Sequence, residues 1–199
     1  MVIIAVAALI LGILTGTFWQ NGFTAVLTSG SDYILYLLMF LVGISIGLHR
    51  GLLDRLRQYH IRILVIPAGI IAGSVLGGAL CGLLLGIPLY QSTSIASGLG
   101  WYSLTGITIT NLMGPRPGSI AFLSNLMREI FSFFSIPWIS RHLGYFSCIA
   151  PAGATSEDTT LPMMIRYTNE ETVVISVVNG VICSAAVPVL IAFCSQAFR

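Results

Sequence analysis

Long apolar runs constrain the fold of this chain more than any other feature of its sequence. Seven follow one another with short connections: about 2–19, 32–48, 62–86, 92–113, 118–140, 145–166 and 172–196. Each is long enough to cross a hydrocarbon core of about 30 Å as a helix, whereas barrel strands alternate over about ten residues. Only 8% of the residues are charged, against about 25% in a soluble domain. The sequence therefore predicts an all-α integral membrane protein with about seven transmembrane segments in a single transmembrane domain, residues 1–199.

Composition also argues against several classes of partner. The formal net charge of +2 is small, so no basic patch points to nucleic acid. The four cysteines stand singly in apolar runs, at Cys81, Cys148, Cys183 and Cys194. They have neither metal-ligand spacing nor a disulfide framework, and we expect no metal and no cofactor.

The orientation follows from the most polar connection, residues 49–62, which reads HRGLLDRLRQYHIR and carries four arginines against one aspartate. Positively charged loops stay on the cytoplasmic side of the membrane. We therefore expect this loop to be cytoplasmic in a multi-pass protein whose main partner is the lipid bilayer.

Two of the predicted segments are interrupted. The first contains SGLGWYSLTG at 97–106, and the second contains APAGATSEDTTLP at 150–162. Both share a loose G-x-x-S pattern, too short to prove an internal repeat. Glycine, proline and hydroxyl residues at membrane depth are tolerated inside protein or beside a watery cavity, and paired broken helices are typical of transporter binding sites. Whether segment 145–166 spans the membrane or re-enters it stays open.

Small and aromatic residues accompany these interruptions. In segment 62–86, Gly69, Gly73 and Gly77 recur at every fourth position, a spacing that predicts close packing against another helix. Beside the first interruption stand two aromatic residues and a hydroxyl: Trp101, Tyr102 and Ser103. They can form the wall of a binding site, and core packing is an equal alternative.

An acidic residue, Glu129, lies close to the midpoint of segment 118–140. An acid there costs roughly 2.5–3.5 kcal/mol on insertion scales. Asn125, Glu129 and Ser132 fall on one helix face, so we expect a polar stripe that faces the protein interior. Arg128 lies about 100° around the helix, where it can pair with Glu129 or with another segment. A structural ion pair between the two is the alternative to a transport site.

A second acidic site is predicted around Asp158, which follows Glu157. Four hydroxyl residues surround these acids in the sequence: Thr155, Ser156, Thr159 and Thr160. Thr155 or Ser156 can cap the half-helix that follows. Hydroxyls, freed carbonyls and a carboxylate together can hold an ammonium group or a small cation. A capping site without transport remains the alternative.

Hydrolysis within the membrane is not predicted. No G-x-G-D signature surrounds Asp158, and the three histidines, at 49, 60 and 142, lie outside the predicted segments, so no G-x-S-x pattern is combined with a membrane histidine. The chain is therefore not expected to be an enzyme. The remaining alternatives are a non-transporting membrane subunit or assembly factor, and a transporter of a different small cation or amino acid.

Four motifs of this sequence resemble those of the LysO-type lysine exporter family: FLVGISIG (40–47), GLGWYSLTGITIT (98–110), NLMREI (125–130) and GATSEDTTLP (153–162). The resemblance implies export of L-lysine and lysine-like amino acids across the bacterial inner membrane, with intramembrane acids required. By motif position these acids are Glu129 and Asp158, Glu129 standing where other members can carry Asp.

A mechanism and a partner follow from this resemblance. We expect antiport with protons, or with Na⁺, and a substrate carboxylate that meets backbone N–H groups near Gly100 or Ser156. Because the resemblance covers the C-terminal two-thirds of single-chain members, it implies the large half of a split exporter. A small membrane partner would then supply the missing spans, the alternative being a homo-oligomer.

Overall fold

The computed structural model describes residues 62–197 continuously and, before them, the helical residues at positions 7, 10–12, 14–17, 33, 37, 40–41 and 44. The predicted segments 2–19 and 32–48 and the loop before Arg62 otherwise lie outside the described residues. By compactness the chain divides into two units, 1–41 and 42–199. Everything that follows concerns the second unit.

Residues 62–197 form seven α-helices and two short 3-10 helices, without a strand in that range. The α-helices are α1 Arg62–Leu85, α2 Leu89–Ala96, α3 Tyr102–Met113, α4 Pro115–His142, α5 Ile149–Ala152, α6 Leu161–Tyr167 and α7 Glu170–Ala197. The 3-10 helices are Phe146–Cys148 and Gly153–Glu157. The predicted interruptions are confirmed: α2 and α3 divide the segment predicted at 92–113, and α5 and α6 divide the segment predicted at 145–166.

Local chemistry explains where the two longest helices start. Helix α4 begins with Pro115, whose fixed φ and missing N–H suit the first helical position. Asn169 precedes α7. Its Oδ1 accepts hydrogen bonds from the backbone N–H of Thr172 at 2.9 Å and from the hydroxyl of the same residue at 2.6 Å. Glu170 and Glu171 occupy the first turn of α7, where negative charge is favoured by the helix dipole.

Helix α1 packs against α2 through glycines other than the predicted ones. A Cβ built on Gly78 would lie 2.5 Å from the Cβ of Ala96, so the two backbones are in close approach. By contrast, a Cβ on Gly69, Gly73 or Gly77 would have no heavy atom within 4 Å. The predicted packing role of that stripe is wrong for the described residues, because the contact face of α1 is rotated by one position.

The outer surface of this unit is strongly apolar. Leu84 is 86% exposed and Phe134 is 77% exposed, as lipid-facing side chains would be. Of the described helices, α1 from Leu64 onward and α7 are long and apolar enough to cross a membrane. Helix α4 has the length but carries Arg128 and Glu129 near its middle, and the interrupted segments consist of short helices. Seven crossings therefore stay a prediction.

Candidate functional site

The two interruptions meet. The backbone N–H of Ala154, in the second interruption, donates to the carbonyl of Leu99 in the first at 2.9 Å. Three residues here adopt positive φ: Leu99 at 51°, Gly100 at 101° and Gly153 at 59°. The two broken backbones therefore cross in direct contact, and the groups freed from the helices must find other partners.

Asn125 of α4 supplies partners for the first interruption. Its Nδ2 donates to the carbonyl of Ile95 at 3.0 Å, and its Oδ1 accepts the N–H of Gly100 at 2.8 Å. Asn125 is buried, so these bonds replace the helical ones that the break removes. The N–H of Gly100 is therefore bonded to a side chain in this structure, and the expected contact of a substrate carboxylate with backbone N–H groups near Gly100 or Ser156 stays a prediction.

Asn179 of α7 supplies hydrogen-bond partners for the second interruption. Its Nδ2 donates to the carbonyl of Gly153 and to Oγ of Ser156, both at 3.0 Å. Ser176 adds a bond from its hydroxyl to the carbonyl of Ser156 at 2.6 Å. Sequence reasoning missed Asn179 and Ser176. The sequence contains a pattern that could have indicated them. Small polar residues recur every three or four positions in the otherwise apolar α7, at Thr172, Ser176, Asn179 and Cys183.

The hydroxyls of the second interruption mostly close the break itself. Thr155 Oγ1 donates to the carbonyl of Ala152, and Thr160 Oγ1 donates to the carbonyl of Thr155, each at 2.9 Å. Helix α6 begins after Thr160, without a side-chain cap. The predicted capping of that half-helix by Thr155 or Ser156 is therefore wrong, because both hydroxyls turn back to carbonyls of the preceding turn.

Glu129 is the acid of this crossing that is most deeply buried, with 1% of its surface exposed. The predicted stripe is confirmed, since Asn125, Glu129 and Ser132 are all buried on α4. Within the described part of the chain, neither carboxylate oxygen of Glu129 has a hydrogen-bond partner, and neither does the buried Oγ1 of Thr159. Glu129 lies beside Thr159 and within electrostatic reach of Asp158.

The adjacent acids of the second interruption face different surroundings. Asp158 is exposed and accepts the N–H of Thr159 through Oδ1. Glu157 turns toward α7, where Ser184 donates to its Oε1 at 2.9 Å. A Cβ on Gly180 would lie 2.5 Å from the Cβ of Glu157, so this acid is packed tightly against the helix. Of the two, Asp158 is the one near Glu129.

Arg128 bonds to other segments and not to Glu129. Its Nε donates to the carbonyl of Pro151 and its Nη2 to that of Ala150, both at 3.1 Å, while Nη1 donates to Ser74 Oγ at 2.9 Å. The alternative of a structural ion pair with Glu129 is therefore wrong. The guanidinium instead links α1 to the carbonyl end of α5.

Of the residues beside the first interruption, Tyr102 packs in the core, and a role in the wall of a binding site stays a prediction. Tyr102, Trp101 and Ser103 are half-buried. The ring of Tyr102 packs edge-on against Phe122, with centroids 5.3 Å apart. Tyr102 is also within electrostatic reach of Glu129 and Asp158. Its ring therefore packs in the core while the residue borders the acids.

Two cavities adjoin the crossing. One of about 330 Å³ lies between α1, α2 and α4, and one of about 440 Å³ lies along α1. Gly73, Ser74 and Arg128 line both. Among residues 62–197 no group of three histidine, cysteine or acidic side chains could hold a metal ion.

Interrupted helical segments that meet around a buried acid are typical of helical membrane transporters. The chain belongs to the lysine exporter LysO family, whose model matches residues 6–195. That family is one of exporters and not of enzymes.

Two curated proteins are similar to this chain. The lysine exporter LysO of Escherichia coli is 37% identical over 168 residues, which make up 84% of this chain and 56% of that protein. The chain thus spans little more than half the length of this relative. A candidate lysine exporter of Haemophilus influenzae is 34% identical over 191 residues, 96% of each chain. No solved structure matches the chain.

Proposed function

We propose that this chain exports L-lysine and lysine-like amino acids across the inner membrane of a bacterium, in exchange for protons. Its membership of the family and the names of its two relatives support lysine as the substrate. The coupling ion and the acids that bind it are inferred from the geometry of the crossing.

The observation that carries the proposal is the carboxyl group of Glu129, buried at the crossing without a hydrogen-bond partner among the described residues. A buried polar group of this kind is costly and is normally satisfied. The cost is lowered when the carboxylate receives an ammonium group, or when it takes up a proton and loses its charge. Alternation between these two states is what an antiporter of a cationic amino acid requires.

Asp158 is proposed to act with Glu129. It is exposed at the surface of the described unit, so it can exchange ions with water more readily than the buried acid. Export of a cation from a negative-inside cell works against about 2.3 kcal/mol per charge per 100 mV. Protonation of one or both acids on the outer side, followed by deprotonation inside, would supply this work. Na⁺ is the other candidate ion.

The test is efflux of lysine and of its toxic analogue thialysine from cells without their own exporter. We expect Glu129→Gln and Asp158→Asn each to abolish efflux while the protein still inserts. Glu171→Gln is the matched control, because Glu171 is an exposed acid in the first turn of α7, away from the crossing. Wild-type efflux rates in both acid variants would refute the proposed mechanism.

The coupling ion and the partner are tested in the same cells. Efflux that stops when the pH gradient is collapsed, and that is indifferent to external Na⁺, supports protons. The chain is expressed alone and with a small membrane protein encoded beside it, since we propose such a partner, with homo-oligomerisation as the alternative. Absence of efflux under both conditions, with insertion confirmed, would favour another substrate or a non-transporting subunit.

A further inference from the structure

We propose that Arg128 is the group that recognises the carboxylate of the transported amino acid, from within the cavity of about 330 Å³ between α1, α2 and α4. This inference rests on the proposed function and extends it. The acids account for the ammonium end of the substrate, whereas no side chain has so far been assigned to its carboxylate. The N–H of Gly100, in one of the two places where backbone N–H groups were expected to meet the carboxylate, is bonded to Asn125.

The first argument is the charge of Arg128 and its present partners. A guanidinium is always protonated and has five N–H donors. Three of them go to neutral oxygens, at Pro151, Ala150 and Ser74. Within the described part of the chain no carboxylate forms an ion pair with it. A cation inside the membrane normally pairs with an acidic group or borders a ligand path. Arg128 retains two N–H donors that could bind a ligand.

The second argument is the position of the guanidinium. A Cβ on Gly153 would lie 3.0 Å from its Nη2, and a Cβ on Gly100 would lie 3.8 Å from its Cδ. Arg128 therefore sits against both interruptions. It neighbours Glu129 in sequence but points to another side of α4, so a cation and an acid flank the crossing. An amino acid with a carboxylate at one end and an ammonium group at the other matches this polarity.

The third argument is the cavity. Its volume falls in the range of small-molecule sites, roughly 300–1,000 Å³. Its wall is mostly apolar, with a few polar side chains: Ser74, Ser92, Ser124, Asn125 and Arg128. Among the residues that the structure describes, nothing would lie within 4 Å of a Cβ on Gly73 or Gly77, so their side of α1 leaves room for a ligand. An aliphatic chain fits such a wall, with its carboxylate at the arginine.

The experiment compares binding of lysine with binding of 1,5-diaminopentane, which is lysine without its carboxylate, by purified protein in calorimetric titrations. We expect Arg128→Gln to weaken lysine binding about 10- to 100-fold, the size of lost charge-assisted hydrogen bonds, and to change diamine binding less than threefold. Arg128→Lys keeps the charge but not the paired donors. Its affinity for lysine should lie between those of the wild-type protein and Arg128→Gln. Arg141→Gln, an exposed arginine of the same helix, should change neither.

A second pair of variants tests the cavity. Gly77→Val would fill it and should weaken lysine binding, whereas Gly69→Val, two turns earlier and outside that cavity, should not. Equal losses for lysine and the diamine in Arg128→Gln would show a structural role, and unchanged lysine binding would show no contact. Either result overturns the inference. Failure of the wild-type protein to bind lysine both alone and together with the proposed membrane partner would instead refute the proposed function.

Discussion

Replacement of Gly153 by alanine should loosen the crossing of the two interruptions. Gly153 has φ 59° and ψ −123°, a region that glycine alone adopts readily. Its Cβ would overlap the carbonyl oxygen of Leu99 and lie 3.0 Å from Nη2 of Arg128. Backbone strain costs about 1–3 kcal/mol, and overpacking adds about 1–3 kcal/mol. We therefore expect Gly153→Ala to lower the free energy of unfolding by about 2–6 kcal/mol.

Gly144→Ala is the matched control for Gly153→Ala. Gly144 also has positive φ, at 89°, but its Cβ would meet nothing within 4 Å. Gly144→Ala should therefore lower the free energy of unfolding by the backbone strain alone, about 1–2 kcal/mol. The assay is unfolding in mixed micelles by added denaturing detergent, with efflux measured in parallel. Equal destabilisation by the two variants would refute the argument that Gly153 is required by contact with Leu99.

Three further results are expected from the same assays. Asn125→Ala and Asn179→Ala should each lower the free energy of unfolding by about 1–3 kcal/mol, because each leaves buried backbone groups of an interruption unpaired; losses below 0.5 kcal/mol would contradict that role. Asn169→Ala should cost about 1 kcal/mol through loss of the α7 cap, without a specific effect on efflux. Glu129→Gln should abolish efflux yet leave stability equal or higher, since it removes a buried acid without a hydrogen-bond partner among the described residues; a large loss of stability would indicate a structural acid instead.

The positions of the helices follow from the sequence because apolar length and breaking residues are local signals. Segments predicted at 118–140 and 172–196 match α4 and α7 to within a few residues, and both interruptions fall where glycine and hydroxyl residues cluster. The buried stripe through Glu129 was predictable for the same reason, since residues three and four apart share a helix face.

What the sequence could not determine is how one segment is placed against another. The packing face of α1 was predicted at Gly73 and lies instead at Gly78, because several glycines in that helix satisfy the same spacing. The partners of Arg128 are carbonyls 22 and 23 residues away and a hydroxyl 54 residues away. No pattern within α4 indicates such contacts.

The bonds of Asn125 and Asn179 also bear on the internal repeat that the sequence only suggested. In each case an interrupted segment is followed by a long helix whose asparagine bonds the break, 25 residues after Gly100 and 26 residues after Gly153. The two halves differ in the position of their acidic residue. Four positions after Asn125 stands Glu129, whereas Cys183 stands four positions after Asn179. The second interruption carries its acid in its own backbone break, at Asp158. The two interruptions therefore share the way in which an asparagine of the next long helix supports them but differ in the position of the acid, so that Glu129 is buried while Asp158 is exposed.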